Sequence, residues 1–194
     1  MTGIQQQKSR ETKTKIFAAA KKILERDGYD KLSIKNICKE AGVSNGSFYH
    51  HFKTKDDLLS YYIEEQPGID PDLSTPPSSK EEVIETIVNV YLNYVEYCKT
   101  LGPEFMANYY TPKNQSLNPQ IRTKRPYPII TVGHYLKLAK EHKVIEFFLP
   151  LEAVTTDIRM LVIGNVFEWC LKKGDADFAG NMSRSLKTYL NGLF

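Results

Sequence analysis

The stretch SIKNICKEAGVSNGSFYHHFKTK, residues 33–55, constrains the fold more than any other part of the chain. Ser33 is a residue that caps helices, its hydroxyl accepting from a backbone N–H of the first turn. Ile34, Ile37, Cys38 and Ala41 recur at i, i+3, i+4 and i+7, which draws one apolar stripe along a short helix. Gly42 follows at once, and glycine takes the left-handed backbone that ends a helix without penalty. Val43 is expected as a buried plug in the turn. Ser44 is a second cap, opening a short helix over 45–52 whose inward face is Phe48 and Phe52. Two short helices meeting across a glycine turn, the second too short to stand alone, make a helix-turn-helix.

The outward face of the second helix reads Asn45, Ser47, Tyr49, His50, His51, then Lys53 and Lys55, with no acid from Gly42 to Lys55. A merely solvated face mixes Glu with Lys. Hydrogen-bonding side chains of modest length flanked by cations instead suit a DNA major groove, the helix N-terminus towards base edges and Tyr and Lys towards phosphates. His50 and His51 project about 100° apart on a helix, so they are no natural metal pair. Charge distribution agrees. Residues 1–55 hold 12 Lys and Arg against 5 Asp and Glu, a net of +7, while 56–194 hold 14 against 18, a net of −4, within a total of +3. A basic end on an acidic body is the footprint of a chain that meets nucleic acid at one end.

AGVSNGSFYHHFKTKDDLL resembles the DNA-binding signature of the TetR family of transcriptional regulators, G-V-S-x-G-x-[FLI]-Y-x-[HY]-F-x-x-K-x-x-L, and matches it at every position. The resemblance covers about the first third of the chain, and the remainder is similar only in length and helical character. It implies base contacts from Lys35, Ser44, Asn45 and Ser47 and phosphate contacts from Ser33, Tyr49, His51 and Lys55. His50 belongs to the same face, and Gly46 lets the backbone come close to DNA. It further implies a ligand-released repressor working as a homodimer on a palindromic double-stranded operator.

Elsewhere the pattern is helical throughout, with no strand-like alternation and no internal repeat. The expectation is an all-α chain of about nine helices. A three-helix DNA-binding domain with its linking helix (about 55–66) occupies 1–66, with residues 1–9 frayed. PGIDPDLSTPPSS, 67–79, carries four prolines and breaks the helical pattern as a linker or loop. A larger helical domain for effector binding and dimerisation follows over 80–194. Cys38, Cys98 and Cys170 never form a CxxC pair and sit at apolar helix positions, as reduced thiols of a cytoplasmic protein. A polar N-terminus and the lack of an apolar run near 18 residues predict neither signal peptide nor membrane span. Neither metal nor cofactor is expected.

In the body, the segments 151–173 and 178–193 are apolar over wider arcs than one core-facing stripe needs, with Ala153 and Gly164 permitting close approach. A dimer interface would bury the excess, and a central helix of a monomer would do so too. Aromatics with polar tips also gather there. As a set, Tyr91, Tyr94, Phe105, Tyr109, His134 and Trp169 are the candidate walls of a pocket for a small, partly aromatic or lipophilic effector; for any one of them alone, ordinary core is the better account. A DNA-binding regulator controlled by a protein partner, or one with no small-molecule effector, is the alternative. An enzyme is not expected: no Ser/His/Asp, metal-ligand or phosphate-loop spacing occurs.

Overall fold

The computed structural model describes residues 3–64, 75–111, 114, 117 and 127–194. Among these there are nine α-helices and no strand: α1 Gly3–Asp27, α2 Ile34–Ala41, α3 Asn45–His51, α4 Lys55–Glu64, α5 Lys80–Leu101, α6 Pro103–Tyr109, α7 Tyr127–Glu141, α8 Leu151–Leu171 and α9 Phe178–Leu193. A single 3-10 turn, Tyr29–Lys31, joins α1 to α2. The all-α expectation holds. From residue 3 onward the expected fraying is not found: α1 already runs from Gly3, its Gln, Lys, Arg and Glu being good helix formers.

The chain divides into two compact units, Met1–Glu65 with Glu104–Thr123, and Gln66–Pro103 with Lys124–Phe194. The helical residues that follow Pro103 in α6 thus group with the N-terminal helices rather than with the rest of 80–194, and Phe105 meets Phe17 of α1 edge-on at 5.6 Å. Most of the expected 67–79 linker lies outside the described residues.

In the first unit, α2 and α4 pack on α1. Ile16, Ala20, Ile23 and Leu24 of α1, Ile37 and Cys38 of α2, Phe48 of α3 with Phe52 just beyond it, and Leu58, Leu59 and Ile63 of α4 are buried together as its core. In the second, α5 packs on α7 and α9, and α8 packs on the same two helices, which closes a four-helix arrangement. Its interior holds Val83, Ile87, Tyr91, Val95, Val154, Ile158, Val166 and Leu186.

Helix ends follow capping chemistry. Asp57 N–H donates to Thr54 Oγ1 at 3.0 Å, and the Asp57 carboxylate accepts from Lys53 N–H at 2.9 Å. Ser79 and Glu82 repeat the device for α5. Glu82 N–H donates to Ser79 Oγ at 3.1 Å, while its carboxylate takes the Ser78 N–H and hydroxyl at 2.8 and 2.6 Å. These bonds hold the Glu82 carboxyl below the usual range. In both boxes the acid reaches one residue beyond the cap itself.

Candidate nucleic-acid interface

The interface is built on two caps and one turn. Asn36 N–H donates to Ser33 Oγ at 3.2 Å, opening α2, and Ser47 N–H donates to Ser44 Oγ at 3.1 Å, opening α3. Gly42 between them has φ 66° and ψ 33°, the left-handed well. Val43 N–H then reaches Cys38 O at 3.0 Å and Gly42 N–H reaches Lys39 O at 3.4 Å, the paired bonds that close a helix C-terminus. Val43 is only half-buried, so the turn is held by these backbone bonds and by the Cys38 thiol on Ser44 O at 3.8 Å more than by a plug. Burial pushes the Cys38 thiol pKa up, which keeps it protonated.

Seven residues are too few for a helix to persist alone. α3 is fixed by Phe48, fully buried, with Phe52 next to it at 5.7 Å between ring centroids. Burying this side turns Asn45, Gly46, Tyr49 and His50 outward, with Ser47 and His51 half-buried. Tyr49 is 57% exposed, its ring meeting Phe48 edge-on at 5.8 Å and otherwise turned to solvent with the outward face. Ser33 and Lys35 are exposed at the start of α2, and Lys39 and Lys53 are exposed as well. The ten residues expected to meet DNA are therefore all exposed or half-buried. Lys55 is the one whose charged group is already engaged: its Nζ donates to Leu32 O at 3.3 Å and lies 3.9 Å from the centroid of the Tyr29 ring.

Sequence periodicity does not disclose the long-range supports. Lys22 and Arg26 of α1 both pair with Glu40, tying α1 to α2. Lys13 of α1 lies 4.2 Å over the Tyr61 ring, which packs edge-on against Phe52 at 5.5 Å. Burial first, then the charges of His50 and Lys13, hold His51 below the ordinary histidine range.

The six candidate pocket residues have different surroundings. Phe105 and Tyr109 belong to the first unit. Phe105 packs on Phe17, and the Tyr109 carbonyl accepts from Asn114 Nδ2 at 2.9 Å. Tyr91, Tyr94 and Trp169 are buried in the second unit, where burial raises the Tyr91 hydroxyl well above its usual pKa. The Trp169 indole stacks on Phe178 at 4.9 Å and 14°, and its Nε1–H donates to Gly174 O at 3.1 Å, pinning the corner between α8 and α9. His134 is exposed, in a surface groove of about 490 Å³ between α7 and α8 with Ile129, Ile130 and Thr155.

The outer side of α8 and α9 behaves differently from their core side. Met160, Phe167 and Leu171 are 61%, 55% and 62% exposed. A groove of about 660 Å³ runs between the two helices past Met160, Leu161 and Gly164 on α8 and Arg184, Ser185 and Tyr189 on α9. Space over Gly164 is open. Polar groups along the groove are satisfied in place. Tyr189 Oη donates to Asp157 Oδ2 at 2.9 Å, and Asn165 Nδ2 donates to Leu161 O at 2.8 Å and Ser185 Oγ at 3.3 Å. Among the described residues no group of three or more His, Cys, Asp and Glu is placed to hold a metal, and no helix is long and apolar enough to cross a membrane.

Comparison with known proteins bears on both units. The model of bacterial regulatory proteins of the tetR family matches residues 16–62, from the middle of α1 through most of α4. The HTH-type transcriptional regulator UidR of Escherichia coli is 38% identical over 58 residues, and the match spans only 30% of either chain. Among solved structures, the fatty acid degradation regulator FadR of Bacillus halodurans superposes with a TM-score of 0.67 at 18% identity, over 94% of this chain and 96% of its own. Thermus thermophilus FadR, a TetR-family repressor solved with lauroyl-CoA, gives 0.61 at 18% identity over 94% and 95%. At such identities the likeness is one of fold. Residues 16–62 thus match the tetR-family helix-turn-helix model, and the all-helical fold of the chain is similar to that of the FadR regulators.

Proposed function

We propose that the chain is a sequence-specific DNA-binding transcriptional regulator, a repressor that acts as a homodimer on a palindromic operator and is released by a small molecule. The observation that carries this reading is the outward face of α3. Asn45, Gly46, Tyr49 and His50 are exposed on a short helix fixed from behind by Phe48, free of acidic side chains and preceded by two capped helix starts. Lys35, Ser44, Asn45 and Ser47 are assigned to bases, and Ser33, Tyr49, His51 and Lys55 to phosphates. A single such unit makes few base contacts, and a twofold pair spaced one helical turn apart doubles them. The exposed Met160, Phe167 and Leu171 beside the α8–α9 groove supply a surface for that pairing.

Release requires only that the effector favour one arrangement of the dimer over another by about 1–3 kcal/mol, enough to change operator occupancy five- to 150-fold. The lauroyl-CoA held by the Thermus thermophilus neighbour makes acyl-CoA thioesters the first class to screen. The acid excess of residues 56–194 points instead to neutral or cationic molecules, which belong in the same screen. Control by a protein partner is the second reading. It is favoured by the way Phe105, Tyr109 and Trp169 are already packed against the chain's own rings and carbonyls.

Selection of bound duplexes from a random pool at about 0.15 M salt, with the full-length chain, tests the proposal. An enriched inverted repeat is the expected result, its half-sites one turn or more apart. Salt-sensitive binding with no enriched sequence would overturn sequence-specific recognition.

A further inference from the structure

We infer that Tyr29 is a positioning residue for the Lys55 ammonium, holding it at the start of α2 before any DNA arrives. The inference rests on the reading of Lys55 as a phosphate contact. Lys55 Nζ lies 3.9 Å from the Tyr29 ring centroid and donates to Leu32 O at 3.3 Å, across 23 positions of sequence. The Leu32 carbonyl is bonded to the Ser33 nitrogen, so the ammonium stands beside the first turn of α2, where Ser33 also faces solvent. Lys55 Nζ is thus bonded to the residue immediately before Ser33, the cap of α2 that is also assigned to phosphate.

A lysine in water samples many rotamers, and fixing it on a phosphate costs that freedom. Here one side of the ammonium is occupied by the electron-rich ring face and a carbonyl, and its remaining donors are free to point outward. The ordering is completed during folding, and the interface meets DNA preorganised. Tyr29 is itself held twice. Its carbonyl accepts from Leu32 N–H at 2.9 Å within the 3-10 turn, and its hydroxyl donates to Asp56 Oδ1 at 3.4 Å, on the residue next to Lys55. The ring thus joins the α1–α2 connection to the first turn of α4. An aliphatic side chain of similar bulk would fill the space without attracting the cation.

The test is a double-mutant cycle on a fluorescent duplex of random sequence, read by anisotropy across a salt series with the full-length chain. Lys55→Ala should weaken binding and lower the salt slope by about one ion. Tyr29→Leu should weaken it about two- to five-fold, the size of a half-exposed cation–π contact, and have no effect when Lys55 is already alanine. Tyr29→Phe, which keeps the ring, should bind nearly as the parent. Independently of DNA and of any loss of stability, the Lys55 ε-methylene protons should be shifted upfield by the ring in the parent and Tyr29→Phe proteins. An equal loss from Tyr29→Leu in both backgrounds, or parent ε-methylene protons at their random-coil position, would overturn the positioning role. Parent-like binding by Lys55→Ala would instead refute the phosphate contact beneath it.

Discussion

Gly46→Ala should move stability and DNA binding in opposite directions. Gly46 is the second residue of α3, and a Cβ built on it meets only Ser44 Oγ, at 3.8 Å, an ordinary van der Waals distance. Its backbone lies outside the positive-φ region, so nothing in the folded chain demands glycine there. A helix prefers alanine by about 0.5–1 kcal/mol, and a position in the first turn of a seven-residue helix should realise the lower part of that range. The fold alone would therefore gain from the substitution. The gain is forgone because the added methyl projects from the face assigned to DNA. Forcing a methyl group into a close contact costs about 1–3 kcal/mol, or roughly five- to 150-fold in affinity. Urea unfolding measures the first effect, and titration of the selected operator measures the second. Parent-like operator affinity would refute the close approach of this backbone to DNA. A drop in the unfolding midpoint would refute the claim that the fold does not need the glycine.

Four further outcomes are expected. Asn45→Ala should relax preference at particular operator bases, while Tyr49→Phe should weaken all sequences alike; repeating the selection with each variant separates the two. Under the proposed pairing, Phe167→Asp removes one half-exposed ring from each protomer, roughly 1.5–3 kcal/mol per dimer and one to two orders of magnitude in dimer Kd, and sedimentation should find the balance shifted towards monomer. His51 is held below the ordinary histidine range, so protonation opposes folding: its contribution is intact above a pH of about 6.5 and is lost as pH falls below it. A phosphate at His51 reverses that preference, so operator affinity should rise as pH falls from 8 to 6 and His51→Gln should flatten the trend. Gly180→Ala would drive a methyl into the Asp177 carboxylate that caps α9 through Gly180 N–H at 2.9 Å. It should cost about 1 kcal/mol, nearly as much as Asp177→Ala, with little added when the two are combined.

The helix-turn-helix was legible because its signals are local. Ser33, Gly42, Ser44 and the pair Phe48 and Phe52 each act on atoms within a few residues, and the structure uses them as their spacing implies. Other helix ends were less legible. Lys143 and Lys173, not glycines, take the left-handed conformation after α7 and α8, with φ 58° and 53°. Val144 N–H then closes on Ala139 O at 2.9 Å, and Gly174 N–H closes on Trp169 O at 3.0 Å. A long polar side chain pays a modest backbone penalty there, and the buried Ile145 and Phe178 that follow fix where each connection must go.

What periodicity could not reveal is which aromatic does what. Tyr29, Trp169 and Tyr91 all read from sequence as apolar residues with a polar or electron-rich part. Trp169 is an internal brace, because its one N–H is taken by Gly174 O five residues on. Tyr91 is core, its hydroxyl raised by burial. Tyr29 is half-buried beside a cation 26 positions away in the chain, and that contact exists only once α4 has docked on α1. Local pattern could not supply it, since neither residue is unusual where it stands. The difference matters for engineering the interface. Under the proposed DNA contacts, changing a base-facing residue on α3 should alter what is read, whereas changing Tyr29 should leave the base contacts in place and alter how firmly one cation is presented to the backbone.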